Sequence, residues 1–380
     1  MQTRTPDVAA RTSRHSPALD GLRGLCITAV LLYHLDPAGR FEGGYLGVSV
    51  FFTLSGFLIT RNLIEELQTT GRVDVIRFWA KRVQRLAPAA LAATLLVIVM
   101  TRLSERGWSA HDISRHAIAT TWSAMNWNII DIGRTNVLSL LGPLGPMWSL
   151  AVEEQFYVII AFVFAILRGP HAIRNLTVLL ACVCVGSVVV AAMLGGYEPR
   201  LEFGTDTRAA ELAIGALLAV LVDRRPDVLT SSVVAKRWAG LVALGVLCAL
   251  FLGGWSARSW LLDGWLCAVA LLSATVIVAL LTGGQMAAAA AWSPVVWLGR
   301  ISYSLYLVHW PIILITHDPF LGQSGLVAQA LRVLLCLGAA IALHVLVERP
   351  VRRVSSAPGR TLGWWAVSSV AVTVVAVLVV

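Results

Sequence analysis

Several groups of polar residues interrupt the apolar runs of this 380-residue chain, and their types and spacing suit chemistry. The run LDGLRGLCITAVLLYHLD holds Arg23 and His34. Eleven residues of helix turn through about 1100°, so the two side chains share one face and stand roughly 16 Å apart along the axis. One stripe then carries a guanidinium that can hold a phosphate and an imidazole that can move a proton near neutral pH. A snorkelling arginine with an interfacial histidine gives the same pattern without function. In RFWAKRVQRLAP, Arg77, Lys81 and Arg85 recur at i, i+4, and Arg82 and Arg85 at i, i+3. That cationic helix face suits phosphates, although a basic juxtamembrane run taken alone favours anionic lipid headgroups. In GPLGPMWSLAVEEQFYVII, Glu153 and Glu154 fall about two turns into a helix, close to Trp148, and diverge by about 100°. One carboxylate can face a cavity while the other reaches a headgroup or a neighbouring helix. FGTDTRAAELAIGALLA places Arg208 three residues before Glu211, spaced for an internal ion pair or for a substrate-facing pair, with Asp206 beside them. GRISYSLYLVHWPIILI carries Ser302, Tyr303, Ser304, Tyr306 and His309, with Pro311 expected to bend or end its helix. His344 and Glu348 are spaced as a structural i, i+4 pair.

The elements that must position these groups are membrane spans. Hydrophobic residues make up 57% of the chain and charged residues only 13%, against roughly a quarter charged in soluble domains. The mean hydropathy is +0.76. These figures exclude disorder, collagen-like repeats and a disulfide scaffold, and they point to an all-α polytopic membrane protein with about 10–11 transmembrane helices. Apolar blocks of spanning length lie near 22–35, 44–60, 86–101, 147–167, 176–195, 207–222, 238–254, 260–281, 299–316, 325–347 and 362–380. With the N-terminus inside, 21 of the 30 lysines and arginines fall on the cytoplasmic side and 8 outside, the bias that orients multi-pass chains. The C-terminus is then expected to face outward. The net charge of +9 belongs to this flanking pattern and not to nucleic-acid binding. The six cysteines sit in apolar runs without paired Cys-x-x-Cys spacing, so no metal is expected. The polar N-terminus is unlike a cleaved signal peptide, which makes the first span an internal anchor. The outer insert 102–146, with Trp108, Trp122 and Trp127, suits an interfacial or re-entrant segment. Matched broken helices of the inverted-repeat transporters are not seen.

Taken together, the Arg23–His34 pair, GGYLGVSVFFTLSGFLIT, the Arg82/Arg85 pair, MWSLAVEEQFY and GRISYSLYLVHWP, in that order, resemble the acyltransferase-3 superfamily of integral membrane acyltransferases. The resemblance covers about residues 17–350, and TDTRA is similar to the subgroup that modifies bacterial surface glycans. It implies transfer of an acyl group, most often acetyl, from cytoplasmic acyl-CoA to a hydroxyl of a surface glycan, glycolipid or glycosylated metabolite. By the same resemblance His34 is the catalytic base, and Arg23, Arg82 and Arg85 engage the acyl-CoA. Glu153 matches the family's motif glutamate. It is expected to meet His34, orienting its ring and stabilising the imidazolium. Trp148, Arg208, Tyr303 and His309 are the expected substrate-binding residues. Residues 1–350 form the expected acyltransferase domain, and 351–380 a cytoplasmic basic linker followed by an additional span. Relatives with eleven spans carry a periplasmic hydrolase-like domain after the last one. The sequence stops at Val380, and three expectations stay open: the chain works with a separate extracytoplasmic partner domain, it acts alone, or it is part of a longer protein. The implied location is the cytoplasmic membrane, among its lipids.

A carrier or flippase that moves an acyl group or a lipid-linked sugar without chemistry would also use a basic inner face and ionisable groups within spans. A positioned histidine–glutamate pair and acceptor-dependent CoA release distinguish the enzyme from it.

Overall fold

A chain crossing hydrocarbon must satisfy its backbone internally, and apolar runs this long do so as helices. The computed structural model describes residues 16–36, 39–103, 108–135, 142–167, 169, 171–195, 199–253, 264–317 and 325–379, and every regular element among them is helical. In chain order these are α1 (Pro17–Leu35), α2 (Gly47–Thr70), α3 (Val75–Leu103), α4 (Ala110–Thr121), α5 (Met125–Thr135), α6 (Met147–Ile166), α7 (Ala172–Leu194), α8 (Pro199–Phe203) and α9 (Thr205–Arg224). They continue as α10 (Asp227–Thr230), α11 (Val233–Gly253), α12 (Leu266–Leu281), α13 (Gln285–Ala290), α14 (Ser293–His317), α15 (Leu326–Leu343), α16 (Arg349–Arg353) and α17 (Pro358–Val379).

Among the described residues nine helices are long and apolar enough to cross a membrane. The other two expected spans correspond to α9, whose first turns carry Asp206, Arg208 and Glu211, and to the shorter apolar α12. Residues 254, 260–263 and 380, at the edges of three expected spans, lie outside the described residues. The chain is a multi-pass helical membrane protein. Phe162, Val185, Val242, Leu334 and Val367 are exposed on its outer helices, a surface that lipid tolerates and water does not.

The basic segment after the second span is helical, as its i, i+4 spacing implies. It is the first three turns of α3, separated from α2 by a short turn in which Gly71 adopts φ 74°. An amphipathic end extends a span's helix beyond its apolar core, which hydropathy alone cuts short. Pro311 does not end its helix, since α14 runs on to His317.

The core is set by two close helix pairs. Contacts between α1 and α14 climb together, from Asp20–Arg300 through Arg23–Ser302 to His34–His309, so these helices are parallel. Helices α2 and α9 are parallel too, with Ser49 meeting Arg208 and Thr53 meeting Gly215. Both relations are those of the first with the ninth span and the second with the sixth in an alternating eleven-span chain. Each pair touches backbone to backbone. A Cβ on Gly299 would lie 1.8 Å from the Asp20 carbonyl oxygen, and one on Gly215 would lie 1.9 Å from that of Thr53. Only glycine allows this approach. Helices α3 and α6 close the ring around the space between the pairs.

The tryptophan-bearing insert forms the α4–α5 hairpin, turned at Ser123 with φ 55°. It docks through Trp122 Nε1, which donates to Thr373 Oγ1 of α17 (3.1 Å), and Trp127 Nε1, which donates to Gln155 Oε1 of α6 (3.3 Å).

Candidate active site

Helices α1, α2, α3, α6 and α14 enclose a cavity of about 180 Å³. Each contributes polar groups to an otherwise apolar wall. From α1, Arg23 donates through Nε and Nη2 to Ser302 Oγ of α14, at 3.3 and 3.1 Å. Arg82 of α3 stands over the rings of Phe78 (5.7 Å) and Tyr157 (5.5 Å). Arg85, one turn on, makes no hydrogen bond or ion pair among the described residues, and Arg23, Arg82 and Arg352 lie within its electrostatic reach. Arg77 and Lys81 point away and are exposed. Of the basic face legible in the sequence, Arg82 and Arg85 therefore belong to the cavity.

Across from these cations lies Glu153 of α6. Its Oε2 accepts from Tyr157 Oη at 2.8 Å, Tyr157 is also hydrogen-bonded to Ser55 of α2, and Arg23 and Arg85 are within reach of the carboxylate. Glu154, rotated by one residue, leaves the cavity and accepts from Ser123 at the α4–α5 turn. The two glutamates diverge as helical geometry requires.

The imidazole lies beyond the other end of this space. Nδ1 of His34 is 2.9 Å from the Val30 carbonyl, and Nδ1 of His309 is 2.7 Å from that of Tyr306. A carbonyl only accepts, so both rings carry hydrogen on Nδ1 and a lone pair on Nε2. His309 is fully buried and its Nε2 has no partner among the described residues. The His34 ring is 5.1 Å from that of His309 and 4.7 Å from Trp310. Tyr306, which lines the cavity, lies 5.5 Å from His309 and is tied to Ser149 Oγ (2.6 Å) and the Pro146 carbonyl (2.9 Å). Ring contacts thus link Tyr306, at the cavity wall, through His309 to His34.

The expected meeting of Glu153 with His34 does not occur among these contacts. Position 153 on α6 is level with Ser55 and the arginines, whereas His34 is level with Trp310. Depth along α6 was misjudged by sequence because relative helix heights are set by packing. The other expected site residues divide. Tyr303 lines the cavity and donates to the Leu86 carbonyl at 2.7 Å. Arg208 is 2% exposed, and its guanidinium is committed to Glu211 (2.7 and 3.2 Å), the Glu202 carbonyl (2.9 Å) and Ser49 (3.2 Å). Of the two readings open at sequence level, the geometry favours the structural pair. Trp148 packs beneath that guanidinium at 5.2 Å, edge-on to Phe52 and Phe203, as part of the core. His344 and Glu348 do pair, at 2.8 Å.

Ser55, Tyr157 and Tyr306 line the cavity and were not among the expected site residues. Tyr157 stands four residues after Glu153, a spacing that would have flagged it. Ser55 had no such signal, because small hydroxyls are common at helix contacts in membranes.

A helical membrane bundle around a cation-lined internal cavity, with an imidazole pair beyond it, defines the class. The chain belongs to the acyltransferase family whose model, Acyl_transf_3, described as an acyltransferase domain, matches residues 16–380. O-acetyltransferase OatA of Staphylococcus aureus strain NCTC 8325 / PS 47 is 31% identical over 350 residues, covering 90% of this chain and 58% of the relative. OatA of strain MRSA252 has the same identity and coverage. The chain therefore spans less than two thirds of the length of the curated relatives it matches. No solved structure matches it.

Proposed function

We propose that this chain transfers an acetyl group from acetyl-CoA, supplied from the cytoplasm, to a hydroxyl of a cell-surface glycan or glycolipid. The observation that carries this reading is the cavity whose lining sets three guanidiniums, Arg23, Arg82 and Arg85, against one carboxylate, Glu153. Guanidiniums that are not neutralised within an enclosed apolar bundle are costly, and a phosphate-bearing substrate would repay that cost with charge-assisted hydrogen bonds. The cavity is smaller than the usual 300–1,000 Å³ of small-molecule sites, which suits a slender pantetheine arm and not a nucleotide.

In this reading the thioester is carried outward past Tyr306 toward His34. With Nδ1–H bound to Val30, His34 presents Nε2 as the acceptor for the proton of the attacking hydroxyl. The Trp310 ring, 4.7 Å away, stabilises the imidazolium that forms, the task that had been expected of Glu153. His309 offers a second Nε2 lone pair to the acceptor. Glu153 instead balances the arginines and holds Tyr157. Names of the relatives support an O-acetyl transfer.

The test is incubation of the purified protein with labelled acetyl-CoA and a glycan acceptor. Acceptor-dependent CoA release with label on the acceptor is the expected result. Label crossing the membrane with no CoA release would identify a carrier.

A further inference from the structure

A second cavity of about 220 Å³ adjoins the first and shares Arg23, Arg85 and Tyr303 with it. Its remaining wall brings Arg300 of α14 and Arg352 of α16, together with the carboxylates of Asp20 and Glu348. Four guanidiniums thus surround a space that also holds two acids. The first cavity is largely apolar. The second is polar and lies toward the ends of α1 and α14 that carry Asp20 and Arg300, away from His34.

The two added arginines are held in ways that leave them available. Arg300 Nε lies 3.6 Å from Asp20 Oδ2, and its side chain is 60% exposed. That distance is too long for a hydrogen bond, and such a pair contributes little. Arg352 Nη1 is 3.1 Å from Glu348 Oε1, but Glu348 also accepts from Ser304 (2.9 Å) and holds His344 (2.8 Å). Glu348 therefore keeps two partners if Arg352 turns away. A polyanion entering this cavity would gain cations while breaking only weak or replaceable contacts.

We propose that this second cavity seats the phosphates of acyl-CoA, with Arg300 and Arg352 binding them while Arg23 and Arg85 guard the entry of the pantetheine arm into the first cavity. This rests on the acyl-CoA reading above and assigns two residues that neither the sequence motifs nor the spacing argument singled out. The two compartments match the two halves of such a donor, a phosphate-rich head and a thin arm. Lipid headgroups share the phosphate chemistry, so the test separates the two sources.

The experiment measures binding of CoA and of pantetheine to the full chain in nanodiscs of neutral phosphatidylcholine, for wild type, R300Q and R352Q. The expected result is a loss of CoA affinity of about tenfold in each variant, as for one charge-assisted bond, with pantetheine affinity unchanged. R300Q alters a mostly exposed side chain and so carries the test even if R352Q unsettles Glu348. Wild-type affinity for CoA in R300Q and R352Q overturns the inference while leaving the acyl-CoA reading intact. Absence of CoA binding by wild type overturns both. In discs containing phosphatidylglycerol, native mass spectrometry showing that R300Q sheds bound anionic lipid while its CoA affinity is unchanged assigns the cavity to lipid and also overturns the inference.

Discussion

An imidazole serves as a general base when one nitrogen is fixed as a donor and the other is left open, and His34 meets that condition through Val30. His34→Ala is therefore expected to lower acetyl transfer by at least about 100-fold while CoA binding and membrane insertion persist. Parallel loss of binding and activity would show that His34 supports the fold instead. Glu153 makes a sharper case, because its partners are Tyr157 and the cavity arginines and not His34. Glu153→Gln should change the KM for acetyl-CoA several-fold, while the pH profile of kcat keeps its shape. A displaced pH profile would return Glu153 to the histidine.

At the scale of the element, the seam between α1 and α14 fixes both Arg23 and His34, since Arg23 meets Ser302 and His34 meets His309 across it. Gly299 lets the seam close. Gly299→Ala favours the helix by about 1 kcal/mol in isolation but sets a methyl against the Asp20 carbonyl, and overpacking of this kind costs about 1–3 kcal/mol or more. The variant should melt at lower temperature and lose activity out of proportion to the melting shift, as the seam spreads. The α4–α5 hairpin holds a different kind of strain. His116 on α4 is 1% exposed, and neither ring nitrogen has a hydrogen-bond partner among the described residues. Burial lowers its pKa from 6.5 to about 4, with Asp112 opposing and Arg115 reinforcing the shift. The unfolded segment then binds a proton that the folded one refuses. Stability is full above about pH 6.5 and falls as the pH drops toward about 4, by on the order of 3 kcal/mol. Melting curves between pH 7.5 and 5 should show this loss in wild type and much less of it in His116→Leu.

For the whole molecule, the parallel relation of α1 with α14 and of α2 with α9 fits an alternating chain of eleven spans. The charge bias gives the expected orientation, with the N-terminus inside. A phosphatase reporter fused after Val380 should be active on the outer side, and a cysteine introduced at Ser356 should react with an impermeant thiol reagent only from the cytoplasm. The opposite labelling would put the arginine-lined cavities at the outer face and remove the cytoplasmic donor from the proposal.

Much was legible before any coordinates. Composition and the length of the apolar blocks determined a helical membrane protein with its spans in the observed places, because hydrocarbon leaves a backbone few alternatives. Helical periodicity put Arg23 and His34 on one face and sent Glu153 and Glu154 apart, since those relations lie within single helices. What sequence could not supply was the height and neighbour of each helix. Whether Glu153 sits beside His34 or beside Arg85, whether Arg208 faces substrate or is enclosed with Glu211, and that Arg300 and Arg352 border the arginine cavity all depend on contacts between distant segments. Those were decided by backbone approach at Gly299 and Gly215 and by packing across the bundle, which no spacing along one chain encodes.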